Sequence, residues 1–326
     1  MHRSACDGPP GLRIAYVGNF RHPWCTEVHL ARTLEQLGHT VYRLQEDHLN
    51  PATLTRALKG RQATDGLDLF WFTRTWGRTV TLDHLAWLDA QGIPSIAYHL
   101  DLYVPLARGR NIDRDPFWRC THVFTPDGDP HSADTFAAAG INHHWMLPAV
   151  VADECYLADV PLTRDVVFVG SRQYHAEWPY RGQLLDWLER TYGDRFGWHG
   201  PENGGVVRGD DLNRLYASTR VAIGDSLVPG YTHVGYASDR RYEAPGRGAF
   251  QIGPRIAGLD DGFVDGVSTV LYDFGDWDGL RDRISHYLTR DDERERIRRA
   301  GHNHVKAHHT YTNRLTAALA LIGATR

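Results

Sequence analysis

The chain has 326 residues, of which 42% are hydrophobic and 23% are charged, a balance that excludes an intrinsically disordered protein. No apolar run approaches the roughly 20 residues that span a bilayer. The first ten residues lack the apolar core of a secretory signal, so we expect a cytoplasmic protein. The 36 basic and 40 acidic side chains give a net charge of −4, which argues against unselective nucleic-acid binding.

Cysteine and histidine give no sign of a metal or a disulfide framework. The four cysteines lie far apart, at positions 6, 25, 120 and 155, and form no C-x-x-C pair. The 19 histidines are mostly scattered, and adjacent pairs such as His143 and His144 would point to different faces of a strand or helix. We therefore expect no bound metal and no cofactor.

The first half alternates strand and helix patterns. Short apolar runs predict six strands, and apolar residues at helical spacing predict the helices between them. In chain order, the predicted elements are strand 12–17, helix 26–37, strand 40–44, helix 51–58, strand 67–72, helix 82–90, strand 93–98, strand 121–125, helix 132–139 and strand 143–147. This alternation implies right-handed crossovers and a parallel sheet.

The alternation restarts after an aperiodic stretch. The predicted elements are strand 165–169, helix 182–192, strand 196–199, helix 210–217, strand 220–224, helix 239–245, strands 249–252 and 268–272, and helices 277–288, 291–307 and 311–321. We therefore predict a first domain over residues 1–150, a linker over 151–164, a second domain over 165–308 and a C-terminal helix over 309–326 that packs back towards the first domain.

The predicted fold class is α/β, with two Rossmann-like, doubly wound domains that face each other across a cleft. Ligands of such sheets bind outside the carboxyl ends of the strands, so the cleft is the expected site. Gly18 follows the first strand without the rest of a G-x-G-x-x-G fingerprint, which argues against a dinucleotide site. The sequence also contains neither a G-x-x-x-x-G-K-[ST] loop nor a G-x-S-x-G elbow, which excludes a P-loop NTPase and an α/β-hydrolase.

Five segments of the second half occur in a suggestive order. They are 167–171 (VFVGS, followed by Arg181), 198–201 (WHGP), 210–223 (DDLNRLYASTRVAI), 239–250 (DRRYEAPGRGAF) and 309–315 (HTYTNRL). This succession resembles the C-terminal half of GT-B glycosyltransferases, especially the spore-maturation (CgeB-type) group related to the group 1 families. The resemblance covers about residues 165–320 and implies transfer of a sugar from a UDP-linked donor to an acceptor hydroxyl, with retention and without a catalytic metal.

The resemblance implies that the second domain holds most of the donor. Arg181 and Glu243 match the arginine and the glutamate of the family, and the glutamate would accept both ribose hydroxyls. Arg240 would contact phosphate or hold Glu243, while Gly235 stands where relatives carry a second glutamate, so His233, Tyr236 or Ser238 would take its place. The remaining expected donor-binding residues are Gly18, Gly170, Ser171, Arg172, Trp198, Tyr216, Gly246 and Gly248.

The first domain is expected to hold the acceptor. Arginines interleaved with aromatic residues follow its strands, and the residues selected for acceptor binding are Arg21, His22, Arg74, Trp76, Arg108 and Arg110. Guanidinium groups beside aromatic rings suit an anionic or aromatic acceptor, such as an acidic glycan, a phospholipid or a nucleic acid; small molecules are common acceptors of such folds. The expected catalytic residues are His99, Asp101 and Arg181, where Asp101 or His99 would be the general base of an inverting enzyme.

Three alternatives stay open at this point. A DNA glycosyltransferase that modifies hydroxymethylated bases would use the same two-domain layout. A nucleotide-sugar epimerase would share the donor pocket and turn over the donor without an acceptor. A non-catalytic nucleotide sensor would bind the donor without consuming it.

Overall fold

The computed structural model describes residues 11–73, 79–112, 114–173, 175–203 and 205–324. Within them, two parallel sheets follow one another along the chain, in the orders β2-β1-β3-β4-β5-β6 and β11-β10-β9-β7-β8. The first sheet comprises β1 (Arg13–Gly18), β2 (Thr40–Gln45), β3 (Leu69–Thr73), β4 (Ser95–Tyr98), β5 (His122–Thr125) and β6 (His143–Trp145). The second comprises β7 (Arg164–Val169), β8 (Phe196–His199), β9 (Thr219–Ile223), β10 (Gln251–Pro254) and β11 (Val270–Tyr272).

Helices cover both sheets. Those associated with the first sheet are α1 (Thr26–Gln36), α2 (Pro51–Thr64), α3 (Leu82–Ala90) and α4 (Pro130–Ala138). The later ones are α5 (Tyr180–Tyr192), α6 (Gly209–Ala217), α7 (Arg240–Gly246), α8 (Trp277–Thr289), α9 (Asp291–His308) and α10 (Tyr311–Leu321). The two parallel sheets confirm the predicted fold class.

The central strands are buried on both faces. Every residue of β3 is buried, and so are the four final residues of β7. Side chains on the two faces of β1 enter different cores, with Ala15 and Val17 in one and Ile14 and Tyr16 in the other. Burial on both sides is why these strands appear in the sequence as near-continuous apolar runs.

Helix α10 returns the end of the chain to the first sheet. Tyr311 and Leu315 pack in the same core as Ile14 of β1 and Leu30 of α1. A second contact links the two halves of the chain. The ring nitrogen Nε2 of His233, in the segment after β9, lies 3.0 Å from a carboxylate oxygen of Asp127, in the segment after β5. Among the described residues, no helix is both long and apolar enough to cross a membrane.

Candidate active site

A cavity of about 430 Å³ lies where the carboxyl ends of the two sheets meet. The first sheet contributes the last residues of β3 and β4, the residues that follow β4 and the residues that begin α1, namely Thr26, Glu27, Thr73, Tyr98, His99, Leu100 and Asp101. The second contributes segments after β7, β8 and β9 and at the start of α7, which include Gly170, Ser171, Pro201, Asp225 and Arg240. This is the position at which α/β sheets bind ligands.

Two glycines let the loops after β7 and β8 approach each other. A Cβ atom at Gly200 would collide with the carbonyl oxygen of Gly170, which itself has φ of +153°. The indole N–H of Trp198 donates a hydrogen bond of 2.8 Å to that same carbonyl. Gly170 and Ser171 line the cavity, whereas Trp198 lies behind it and holds this loop in place.

Arg181 is a buried cation at the wall of the cavity. Its Nε donates to Asp225 at 2.7 Å, and the indole nitrogen of Trp178 lies 3.2 Å and 3.3 Å from the two oxygens of the same carboxylate. Burial raises the pKa of Asp225, and the Arg181 guanidinium opposes that shift. Asp225 was not predicted, although an aspartate directly after an apolar strand was a usable signal.

Arg240 belongs to a chain of charges on α7. It is ion-paired with Glu243, one helical turn on, and Glu243 also lies 3.4 Å from Nε of Arg247. Arg247 in turn is ion-paired with Glu154. Arg240 lines the cavity and Glu243 does not, so the carboxylate predicted to bind ribose is held by two arginines, at spacings of three and four residues that the sequence already displayed.

Arg208 is a cavity residue that sequence reasoning missed. It precedes α6, its pKa is lowered by burial and then by the neighbouring Arg240 guanidinium, and Asp239 opposes that shift. Within the described part of the chain, its guanidinium donates to the carbonyl of Val207 at 3.3 Å and has no ion pair. No motif distinguishes this arginine from the many others in the sequence.

Glu27 is a second cavity residue without a sequence prediction. It lies in the first turn of α1, and burial raises its pKa to about 7 against the opposing effect of backbone hydrogen bonds. Gly18 does not line the cavity. A Cβ atom there would lie 2.6 Å from Cγ of Glu27, so this glycine makes room for the glutamate.

The two first-domain residues predicted to be catalytic both line the cavity. The backbone N–H of Asp101 donates to Nδ1 of His99 at 3.1 Å, which leaves the proton of a neutral ring on Nε2. The Asp101 carboxylate is ion-paired with Arg108 at 3.1 Å. Arg108 is therefore paired with Asp101 and does not line the cavity.

The remaining predicted residues have other surroundings. Tyr216 is buried and lines the cavity. Arg172 is ion-paired with Asp186, Arg21 is ion-paired with Asp47, His22 stacks on Trp24, and Arg110 is exposed. Gly246 lies against Cys155 and Val305, and Gly248 lies against Leu157. Arg74 and Trp76 fall outside the described residues.

Across the described residues, no group of three or more His, Cys, Asp or Glu side chains is arranged to hold a metal ion. The charged groups that the second sheet places on the wall are instead three arginines (Arg181, Arg208 and Arg240) and two aspartates (Asp225 and Asp239).

Comparison with known proteins identifies the class of this site. Residues 172–320, which supply most of the second-domain wall, match the family model described as glycosyl transferase-like. The chain is a glycosyltransferase. The predicted resemblance is confirmed, and no curated protein matches the sequence.

The glycosyltransferase is also similar to solved structures along nearly its whole length. An alpha-glucosyltransferase in complex with UDP aligns with a TM-score of 0.70 and 11% identity, covering 96% of this chain and 100% of the other. Sucrose-phosphate synthase from Thermosynechococcus elongatus aligns with a TM-score of 0.62 at 12% identity, and Anabaena HepE in complex with UDP and glucose with 0.63 at 13%; each covers 96% of this chain and 100% of its own. At such identities the likeness shows the fold, which is GT-B.

Proposed function

We propose that this glycosyltransferase takes its sugar from a UDP-linked donor, transfers it with retention to an acceptor hydroxyl and needs no metal ion. The observation that carries the proposal is Arg208, a half-buried guanidinium beside Arg240 that has no ion pair within the described residues. A buried cation needs an anion, and a diphosphate is the anion that a nucleotide sugar supplies.

The surrounding wall suits the rest of a nucleotide. Pro201, Val206 and Val207 form an apolar edge after β8, and Tyr216 adds an aromatic ring near the arginines. An apolar slot with a few polar groups is typical of sites for nucleobases and other planar ligands. The UDP complexes among the structurally similar proteins make uracil the base to test first.

The charges of the site explain how the donor would react. As the sugar–phosphate bond breaks, negative charge grows on the diphosphate, and Arg181, Arg208 and Arg240 stabilise it without the help of a metal. His99 lines the cavity and would contact the donor sugar, and its Nε2 also lies 3.5 Å from the hydroxyl oxygen of Tyr103. In a retaining reaction the leaving diphosphate would take the acceptor proton on its own face, so Asp101, which is ion-paired with Arg108, would not be needed as the base.

Calorimetric titration tests the donor site. We expect UDP to bind the wild-type protein equally well with and without EDTA, and Arg208→Ala to weaken UDP binding about 10- to 100-fold, the effect of losing a charge-assisted hydrogen bond. Uridine lacks phosphate, so its affinity should be the same in both proteins. Arg195→Ala removes an exposed arginine that is paired with Asp165 and serves as the matched control.

Two results would contradict this donor assignment. One is a wild-type protein that does not bind UDP. The other is an Arg208→Ala variant that loses affinity for UDP and uridine alike, since a phosphate contact cannot act on uridine.

The stereochemistry of transfer has its own test. With UDP-glucose as donor, NMR of the product gives the anomeric configuration, and an inverted product would overturn retention.

A second prediction separates two roles for Glu243. Because this carboxylate is paired with Arg240 and Arg247, we expect Glu243→Gln to weaken UDP binding about tenfold by releasing Arg240. The same factor should apply to 2′-deoxy-UDP. If Glu243 instead bound the ribose, the deoxy ligand would already have lost that contact, and the substitution would affect it much less than UDP.

A further inference from the structure

The two walls of the cavity differ in charge. In the described part of the chain, the second-domain wall carries three arginines (Arg181, Arg208 and Arg240) and two aspartates (Asp225 and Asp239), and Asp225 is ion-paired with Arg181. Among the described residues, the first-domain wall carries two carboxyl groups, those of Glu27 and Asp101, and neither arginine nor lysine. Of the described residues, those on the first-domain wall therefore offer a bound molecule acidic and uncharged groups, while the second-domain wall carries more arginines than aspartates.

Glu27 is the carboxyl group on this wall that has no ion pair within the described residues. It is largely buried, and the absence of a side chain at Gly18 leaves the space that it occupies. Asp101 on the same wall is already engaged by Arg108. An unpaired buried carboxyl group is costly to maintain, and such groups cluster at functional sites.

Tyr98 provides an unsatisfied polar group on the same wall. Tyr98 lines the cavity and is fully buried, and its hydroxyl has no hydrogen-bond partner among the described residues. Tyr98, Glu27 and Asp239 all lie near enough to Tyr311 to raise the pKa of its hydroxyl, after the larger effect of burial. The two groups thus belong to one small region at the junction of α1, β4 and α10.

We propose that Glu27 and Tyr98 bind the acceptor and that the acceptor is an uncharged polyhydroxylated molecule, such as a free sugar. This rests on the proposed function, in which the donor diphosphate lies against the opposite wall. An ionised carboxylate accepts hydrogen bonds from two hydroxyl groups, and a phenol hydroxyl both donates and accepts. A phosphorylated or carboxylated acceptor would meet like charge at Glu27 and Asp101.

An uncharged acceptor differs from the anionic acceptor that the arginine-rich loops predicted. Arg21 is ion-paired with Asp47 and Arg108 with Asp101, and neither lines the cavity. Within the described residues, these two arginines are balanced by local carboxylates. These two arginines therefore give no site for an anion in the cavity.

Matched sugars test the acceptor class. The full-length protein is saturated with UDP, and binding of glucose, galactose, mannose and fructose and of the 6-phosphate of each is measured by calorimetry. We expect at least one free hexose to bind at least tenfold more tightly than its 6-phosphate. Mass spectrometry with UDP-glucose as donor should then show transfer to that hexose.

Variants test the two residues. Glu27→Gln should weaken hexose binding about tenfold and Tyr98→Phe about fivefold, while the Kd for UDP stays within twofold of the wild-type value. Glu35→Gln is the matched control, because Glu35 lies on the same helix, is exposed and is paired with Arg43. Glu27→Asp should recover part of the lost affinity, since it keeps a carboxylate.

The pH dependence of hexose binding separates a direct contact by Glu27 from a merely structural role of this residue. Hexose affinity should rise between pH 6 and pH 8 in the wild-type protein, as Glu27 ionises, and stay flat in Glu27→Gln. Glu46, Tyr16, Cys25 and Tyr311 interact electrostatically with Glu27. Burial raises the pKa values of the two tyrosines and of the cysteine above their ordinary ones, so these three groups stay protonated over this range.

The outcomes distinguish this acceptor site from the donor site. If the wild-type protein fails to bind UDP, the donor site is wrong and the acceptor site falls with it. If UDP binds but no free hexose does, or the 6-phosphates bind more tightly, or Glu27→Gln leaves hexose binding unchanged, the acceptor assignment alone is overturned.

Discussion

Replacing Glu27 with glutamine should make the folded protein more stable at pH 8, by up to about 3 kcal/mol, while it impairs binding of the acceptor. Burial raises the pKa of this carboxyl group from 4.5 to about 7, and each unit of such a shift corresponds to about 1.4 kcal/mol. Chemical denaturation at several pH values measures the difference between wild-type and variant.

The direction of the pH dependence follows from proton binding. Between pH 4.5 and pH 7 the folded state holds a proton that the unfolded state has released, so wild-type stability falls as the pH rises through this window. Glutamine resembles the protonated acid, so the two proteins should be equally stable at pH 4 and should diverge until about pH 7. Glu35→Gln, at an exposed ion pair, should change stability by about 0.5 kcal/mol or less. A Glu27→Gln variant that is less stable at pH 8 would show that the carboxylate has a stabilising partner.

Arg181→Met should destabilise the protein by about 3–5 kcal/mol, because it leaves the fully buried carboxylate of Asp225 without its cation. Combining it with Asp225→Asn should recover most of that loss. The asparagine removes the buried charge and keeps an oxygen that accepts from the indole N–H of Trp178. Thermal or chemical unfolding of the single and double variants measures this coupling.

The double variant that regains stability should not regain the activity of sugar transfer. If Arg181 stabilises the leaving diphosphate, the double variant should remain about 100- to 1,000-fold below wild-type in kcat, the usual cost of removing one electrostatic contact to the transition state. A stable double variant with near-wild-type kcat would restrict Arg181 to a structural role. Arg195→Ala again provides the control for loss of an arginine elsewhere on the second domain.

The predicted strands were accurate where apolar runs are buried on both faces. Several strands have other bounds than their apolar run, and two of them show why. In the run 249–252, Ala249 donates its N–H to the carbonyl of Ala244 and ends α7, so β10 begins only at Gln251. In the run 143–147, β6 ends at Trp145, and Met146 is buried in the core that includes α10. Apolar periodicity reports burial, and burial extends beyond the sheet.

The residues of the candidate site likewise include some that the sequence predicted and some that it did not. Arg181 and Arg240 were predicted from the family segments that they match, and His99 was predicted because it follows a parallel strand, at the edge of the sheet where ligands bind. Glu27 and Arg208 were missed because only two features distinguish them from other charged residues: they are at least half-buried, and they have no ion pair within the described residues. Both depend on neighbours that are distant along the chain.

By itself, the sequence determined the α/β class, two sheets in series and a glycosyl transferase-like second half, because each of these rests on local periodicity or on short segments in a fixed order. Only the tertiary structure decided which charges face the cavity. Arg108 and Glu243 carry the right chemical groups, yet neighbouring side chains neutralise them away from the cavity wall. Desolvation and pairing are properties of the folded chain, and they select the few side chains that remain to act on a ligand.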